Sequence, residues 1–168
     1  MQKIDACNSF YSDLLNLYVC VRCRCDKVEE VSLSDHHWRG KDGRLADSIL
    51  QDLKGYLEGD DPDFSKYEVD SSFYTDFEWR VLEEARKIPF GKEIFYSDLA
   101  GRVFGNKGNM RGKGNMRGAR AVGNALSKNR TPLITPCHRV IGKNNIGGYK
   151  YGVEIEKKLL NLEREAKG

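Results

Sequence analysis

No stretch of this sequence stays apolar for the roughly 20 residues that a membrane-crossing helix requires. Its N-terminus also lacks the basic-then-apolar pattern of a secretory signal. Both absences predict a soluble, cytoplasmic protein with no membrane partner. Cysteine is sparse and odd in number, five in 168 residues, at positions 7, 20, 23, 25 and 137. With no export signal, that count argues against a disulfide framework and for reduced thiols. Acidic residues vanish over one long span. Between Asp98 and Glu154 the chain carries eleven basic residues, among them Arg102, Arg120, Lys128, Arg130 and Arg139, and no acid. An ordinary solvated surface mixes its signs, so this span points to a polyanion, nucleic acid foremost.

What is present describes a folded chain. Hydrophobic residues make up 39% and charged residues 32%, which excludes collagen-like, low-complexity and wholly disordered classes. A chain of this length buries roughly 70% of its unfolded surface, enough for one domain or two small ones without staples. Residues 1–75 hold nine Lys/Arg against fifteen Asp/Glu, and residues 76–168 hold nineteen against ten. The sign change, with the acidic tract Gly59-Asp60-Asp61-Pro62-Asp63, places a linker at 59–73. It divides the chain into an N-terminal lobe, 1–73, and a C-terminal domain, 74–168.

Periodicity assigns the elements. Leu17 to Cys25 alternates, with Val19, Val21, Cys23 and Cys25 on one side, as a strand with one half-buried face does. Asp26-Lys27 turns the chain into a second strand, Val28 to Leu33. Leu45, Ile49, Leu53 and Leu57 recur at helical spacing over 44–58. Thr75-Asp76-Phe77-Glu78 is a capping-box pattern that opens a helix ending near Pro89. Ser97-Asp98 starts a short helix, and a further helix runs from about Ala119 to Lys128. Two short helices in a basic domain suggest a helix-turn-helix. The last helix, about Glu154 to Glu165, buries Ile155, Leu159 and Leu162. The whole is an α+β chain: a small lobe of sheet and helix, then a helical lobe. Between the two short helices, Lys107-Gly108-Asn109-Met110-Arg111-Gly112 recurs unchanged as 113–118. Glycine at that density predicts a flexible connection.

Cys137 stands in Pro136-Cys137-His138-Arg139-Val140, flanked by the apolar pairs Leu133-Ile134 and Val140-Ile141. Free cysteine is only a few per cent thiolate at neutral pH, and a nearby base or positive charge raises that fraction. His138 is the adjacent candidate base, although neighbours along a strand point to opposite faces. Buried, inert cysteine remains the commoner fate of a lone Cys.

The segment Thr131 to Gly148 resembles the active-site segment of the DNA 6-O-alkylguanine alkyltransferases, the methylated-DNA–protein-cysteine methyltransferases. Their core is Pro-Cys-His-Arg-Val, usually after an aliphatic residue where this chain has Thr135. Further matches keep the family's order: Phe90-Gly91-Lys92, Tyr96-Ser97-Asp98-Leu99-Ala100, Arg120-Ala121-Val122-Gly123, Asn129, Gly147-Gly148-Tyr149 and Leu159-Leu160-Asn161-Leu162-Glu163. The likeness covers about residues 75–165. It implies irreversible transfer of an alkyl group from the 6-oxygen of guanine, and of the 4-oxygen of thymine in some settings, to Cys137. His138 would take the thiol proton through a water, and Glu163 would hold the imidazole. Arg120 would fill the gap left by a flipped base, and Tyr96 would help rotate the nucleotide. Gly118 and Ala119 would let backbone approach the minor groove of double-stranded DNA. Asn129 would tie the DNA-binding helix to the cysteine segment, and Val140, Tyr149 and Lys150 would border the guanine. The resemblance implies a monomer without organic cofactor. Its alternative is a non-enzymatic alkyltransferase-like damage binder, which lacks the reactive cysteine. The doubled hexapeptide lengthens the connection between the two short helices beyond the family's usual turn.

Cys20, Cys23 and Cys25 with His36 and His37 have the residue types of a zinc site. The family's structural-zinc spacing is not reproduced, and alternation turns Cys20 away from Cys23 and Cys25. Core thiols, with no metal, are the expectation.

Overall fold

The structure, a computed structural model, describes residues 6–105, 114–144 and 148–168, with 114–117 as backbone alone. The first copy of the hexapeptide, Lys113 and Gly147 lie outside the described residues. The chain divides into two compact units, each discontinuous. One comprises Met1–Asp70, Arg130–Ile134 and Asn161–Gly168, and the other Ser71–Asn129 and Thr135–Leu160. Among the described residues no helix is long and apolar enough to cross a membrane.

The first unit is built on an antiparallel sheet of β1 (Ala6–Ser12), β2 (Leu17–Arg24) and β3 (Lys27–Ser34) in the order β1-β2-β3. Alternation located the second and third strands. It missed β1, whose Asn8, Ser9 and Ser12 break the apolar rhythm and which pairs through Ala6↔Cys23 to Ser12↔Leu17. The turn after β2 is Cys25-Asp26, not Asp26-Lys27. Both residues are left-handed (φ 52° and 62°), as tight hairpins of right-handed twist require. β2 is also not one-faced: Val19, Cys20 and Val21 are all buried. The helix α1 (Arg44–Leu57) packs on β1 and β2, while 36–38 cover Cys20 and Ser9, through the bonds of Cys20 to His36 O and Ser9 to Trp38. Cys25 is exposed in its turn, so only Cys20 and Cys23 among the clustered thiols are core residues.

The proposed linker at 59–73 is packed structure as far as Asp70. Asp63 caps a short 3-10 helix, Phe64–Lys66, through Ser65 N–H (2.9 Å). Tyr67 and Val69 are buried, and Val69 bridges Val28. Arg130–Ile134 joins this unit along β3, where Val31 N–H donates to Arg130 O (2.8 Å).

The second unit opens with α2 (Asp76–Arg86). Its capping box is complete: Thr75 Oγ1 accepts from Glu78 N–H (3.2 Å), and Glu78 Oε2 accepts from Thr75 N–H (2.9 Å). The two-residue strand β4 (Ile94–Phe95) leads into α3 (Tyr96–Phe104), followed by α4 (Gly114–Ser127). α3 starts earlier than Ser97-Asp98, because Asp98 sits inside its first turn and accepts from Phe95 N–H (3.2 Å). α4 begins five residues before Ala119, so the described part of the second hexapeptide copy, 114–118, is helical rather than a flexible connection. Gly118 has a packing reason to be glycine. A Cβ there would lie 3.3 Å from both Ala100 Cβ and the Phe104 ring, so α3 and α4 meet closely at this point. Val81, Leu82, Leu99, Val103, Val122, Leu126 and Val140 form the core of the unit.

The strand β5 (Val140–Ile141) pairs parallel with β4, Ile94↔Val140 and Phe95↔Ile141. The last helix, α5 (Val153–Lys167), buries Glu156, Leu159, Leu160 and Glu163, with Ile155 and Leu162 only half-buried. Counting apolar residues alone rotated the expected face, because two of its four buried positions are carboxylates.

Candidate active site and nucleic-acid interface

Pro136 delivers the chain into a single 3-10 turn, Cys137–Arg139, that runs directly into β5. Cys137 N–H donates to Thr135 O (2.8 Å) and Arg139 N–H to Pro136 O (3.0 Å). Asn129, just past α4 and buried, holds this turn from outside. Its Nδ2 donates to Thr135 O (2.9 Å) and to Cys137 Sγ (3.2 Å). One amide thus grips both the backbone ahead of the cysteine and the sulfur itself.

The sulfur is half-buried. Burial pushes its pKa up to about 11; the Asn129 bond, its own N–H and Lys150 pull it down, and the Glu156 carboxylate pushes it up. At neutral pH such a group is overwhelmingly thiol, with on the order of one molecule in 10⁴ ionised. The resting sulfur is therefore quiet, and a nucleophilic role requires a base. His138 is wholly buried, with its ring edge-on to Tyr149 at 6.3 Å between centroids.

Tyr96 follows β4 immediately, so the β4–β5 pairing sets its position along the same two-stranded ladder that follows the cysteine. Its ring lies against Gly123 of α4, and its hydroxyl lies against Gly148, where a Cβ would come within 3.5 Å. Gly148 is left-handed (φ 86°), a conformation natural to glycine. Burial, then the charges of Glu156 and Cys137, raise the Tyr96 pKa. The phenol keeps its proton and is a hydrogen-bond donor. Val140 is fully buried and Tyr149 nearly so, whereas Lys150 is exposed, with its ammonium 5.5 Å from the Tyr151 ring centroid.

The acid-free span does not present all its charge to solvent. Arg139 is buried; its Nη1 donates to Ile88 O (2.7 Å) and its guanidinium lies 5.7 Å from the Phe90 ring centroid. Lys128 pairs with Glu78, and Arg130 lies 3.8 Å from both Glu29 and Glu30 carboxylates. Sequence counting missed these partners because the acids lie far away along the chain. Arg102, Arg120, Lys143 and Lys150 are exposed. Arg120 stands on α4 beside the half-buried Gly118 and Ala119. Lys107, Arg111 and Lys113 lie outside the described residues.

Glu163, on α5, is buried, and its Oε1 accepts from Tyr56 O–H (2.6 Å) within the first unit. Glu156, also on α5, is buried as well, against the expectation of a solvated charge. The signal available was its spacing of seven from Glu163, which returns a helix to nearly the same face. Among the described residues no group of three or more His, Cys, Asp or Glu side chains gathers to hold a metal.

The sequence pattern of the 6-O-methylguanine DNA methyltransferase DNA-binding domain matches residues 76–165. A methylated-DNA–protein-cysteine methyltransferase of Methanocaldococcus vulcanius is 42% identical over 102 residues, covering 61% of this chain and 54% of that one. This chain therefore spans about half the length of that relative. The Sulfurisphaera tokodaii protein of the same name is 36% identical over 139 residues, 83% of this chain and 76% of that one. Among solved structures, Mycobacterium tuberculosis O6-methylguanine methyltransferase shares the fold, with 23% identity, a TM-score of 0.76, and coverage of 97% of this chain and 94% of that one. The Mycobacterium tuberculosis OGT in complex with DNA aligns with a TM-score of 0.75 at 26% identity, over 96% of this chain and 94% of that one. The chain belongs to the methylated-DNA–protein-cysteine methyltransferase family.

Proposed function

We propose that Cys137 accepts an alkyl group directly from the 6-oxygen of guanine in double-stranded DNA, once per molecule. The chain acts as a DNA-repair methyltransferase that binds DNA and needs no organic cofactor or metal. The observation that carries the assignment to Cys137 is the Asn129 bond to its sulfur, which fixes one half-buried thiol in the basic, family-matched part of the chain.

His138 takes the thiol proton through a water, and Glu163 holds the imidazole in the tautomer that can do so. Sulfur attacks the alkyl carbon, the carbon–sulfur bond forms, and the carbon–oxygen bond breaks with its electron pair left on guanine. A proton from the imidazolium restores neutral guanine, with the Tyr96 hydroxyl donating a hydrogen bond to the departing base. The thioether offers water no leaving group, so the protein is consumed. Reaching the oxygen requires rotating the base out of the stack at about a few kcal/mol. Tyr96 assists that rotation and Arg120 fills the gap. The small Gly118 and Ala119 let α4 approach the minor groove, where sequence is poorly discriminated. Val140, Tyr149 and Lys150 border the guanine. The protein works as a cytoplasmic monomer.

Mass spectrometry after incubation with duplex DNA containing 6-O-methylguanine tests this. One methyl group on Cys137 is expected. Methyl on Cys7, Cys20, Cys23 or Cys25 instead, or several turnovers per molecule, refutes it. A purely damage-binding role predicts binding without any mass gain.

A further inference from the structure

Asn129 holds the Cys137 sulfur, and its own place is set by its neighbours along the chain. Arg130, one peptide bond away, is tied to β3 by backbone and side chain alike. Its carbonyl accepts from Val31 N–H (2.8 Å). Its Nε donates to Glu29 O (3.5 Å), and its Nη2 lies 3.8 Å from both the Glu29 and Glu30 carboxylates. Glu29 is buried, so salt screens this pair less than a surface one. On the other side of Asn129, Lys128 pairs with Glu78 through a side chain 60% exposed, a contact that solvent weakens. Arg130 is the firmer anchor. Residues 130–134 form a loop that the Asn129 side chain closes through its bond to Thr135 O (2.9 Å). Thr131, Leu133 and Ile134 in that loop are buried. Leu133 is left-handed (φ 73°), a conformation rare for a bulky residue and kept only where surrounding contacts over-determine it.

We propose that Arg130 is a positioning residue for Cys137: bound to β3, it holds the neighbouring Asn129 amide on the sulfur. A run of contacts and one peptide bond joins Glu29 and Val31 to Arg130, to Asn129, and to the sulfur at 3.2 Å. The inference rests on reading Cys137 as the alkyl acceptor. Losing the anchor lets the strained loop relax and Asn129 drift, and a hydrogen bond weakens steeply with distance and misalignment. A donor at the sulfur favours the thiolate, so the thiol becomes less reactive as that bond loosens. An arginine that sequence counting assigns to DNA thus serves the nucleophile instead.

The test labels the full chain with iodoacetamide near neutral pH, and peptide mass spectrometry reads the rate at Cys137 alone. It compares the unaltered protein with Arg130→Ala, Arg130→Lys, Asn129→Ala and the double variant carrying both alanines. Arg130→Ala should slow labelling by about two- to fivefold, part of the range that one such bond controls. In the Asn129→Ala background the same replacement should change nothing, because the amide it acts through is gone. Arg130→Lys, which keeps a charge facing Glu29 and Glu30, should recover most of the rate. A merely structural role would slow both backgrounds alike. Equal losses in the two backgrounds therefore overturn the proposal, as does an unchanged or faster rate in Arg130→Ala. If Arg130→Ala does not fold, Glu30→Gln, which removes one facing carboxylate, is held to the same comparison. Iodoacetamide needs no DNA, so the outcomes separate. A loss that depends on Asn129, without methyl transfer from DNA, would sink the repair function and leave the positioning role standing. Transfer with equal losses in both backgrounds would do the reverse.

Discussion

Replacing Arg139 by alanine should damage stability and leave phosphate contacts alone. The sequence places this arginine beside the cysteine inside an acid-free span, where it counts as one more cation for DNA. The structure buries it, with Nη1 2.7 Å from Ile88 O and the guanidinium over Phe90. A hydrogen bond from a charged donor contributes about 1.5–3 kcal/mol, and a desolvated cation–π contact about 0.5–2 kcal/mol. Truncation also strips the Ile88 carbonyl, in a residue only 1% exposed, of that donor. Allowing for non-additivity, the loss should be about 3 kcal/mol. For a chain of this size that corresponds to a fall of about 6–12 °C in Tm. Urea and thermal unfolding followed by circular dichroism would read it. DNA binding, measured on the remaining folded protein across a salt series, should keep its slope, since each lost phosphate contact would reduce it by about 0.9. Unchanged stability together with a shallower salt slope would refute the reasoning and return Arg139 to the DNA surface.

Arg120→Ala should slow repair of duplex DNA far more than reaction with the free modified base, since only the duplex requires flipping. Equal losses on both substrates in single-turnover assays would remove Arg120 from that role. Asn129→Ala removes a donor that favours the thiolate, so the Cys137 pKa should rise further above about 11. Alkylation at neutral pH should slow by about two- to tenfold, the worth of one such bond. A rate equal to or above that of the unaltered protein in an iodoacetamide time course would contradict that sign.

Where local chemistry decides structure, the sequence was readable. Thr75 and Glu78 announce their capping box because both partners lie within four residues, and the Leu45–Leu57 spacing announces α1. The cysteine segment was legible as a motif of five adjacent residues. The missed features depend on distant partners. β1 is polar enough to hide and is held by pairing with β2. β4 and β5 are two residues each, too short for any period. The burial of Arg139 and the pairing of the exposed Lys128 depend on Ile88, Phe90 and Glu78, which lie some fifty residues away. Glu156 looks like one more solvated charge until α5 is seen to turn it inward.

The parallel pairing of β4 with β5 has a consequence for how this protein can change in length. Ile94↔Val140 and Phe95↔Ile141 act as a ruler, with Tyr96 one residue beyond its first strand and Cys137 three residues before its second. A slip of one residue in that register would displace the phenol along the ladder by about 3.3 Å and reverse its facing. The doubled hexapeptide lies in the sequence between these two strands, yet the ruler does not run through it. The packing of Gly118 on Ala100 and Phe104 rejoins α4 to α3 downstream of Gly105, past the first copy and Lys113. Duplication or loss of a repeat there is a change the Tyr96–Cys137 ladder cannot feel, whereas a single residue added between Pro136 and Val140 would break it. Evolution is thus free to edit the length of one connection while the other is frozen.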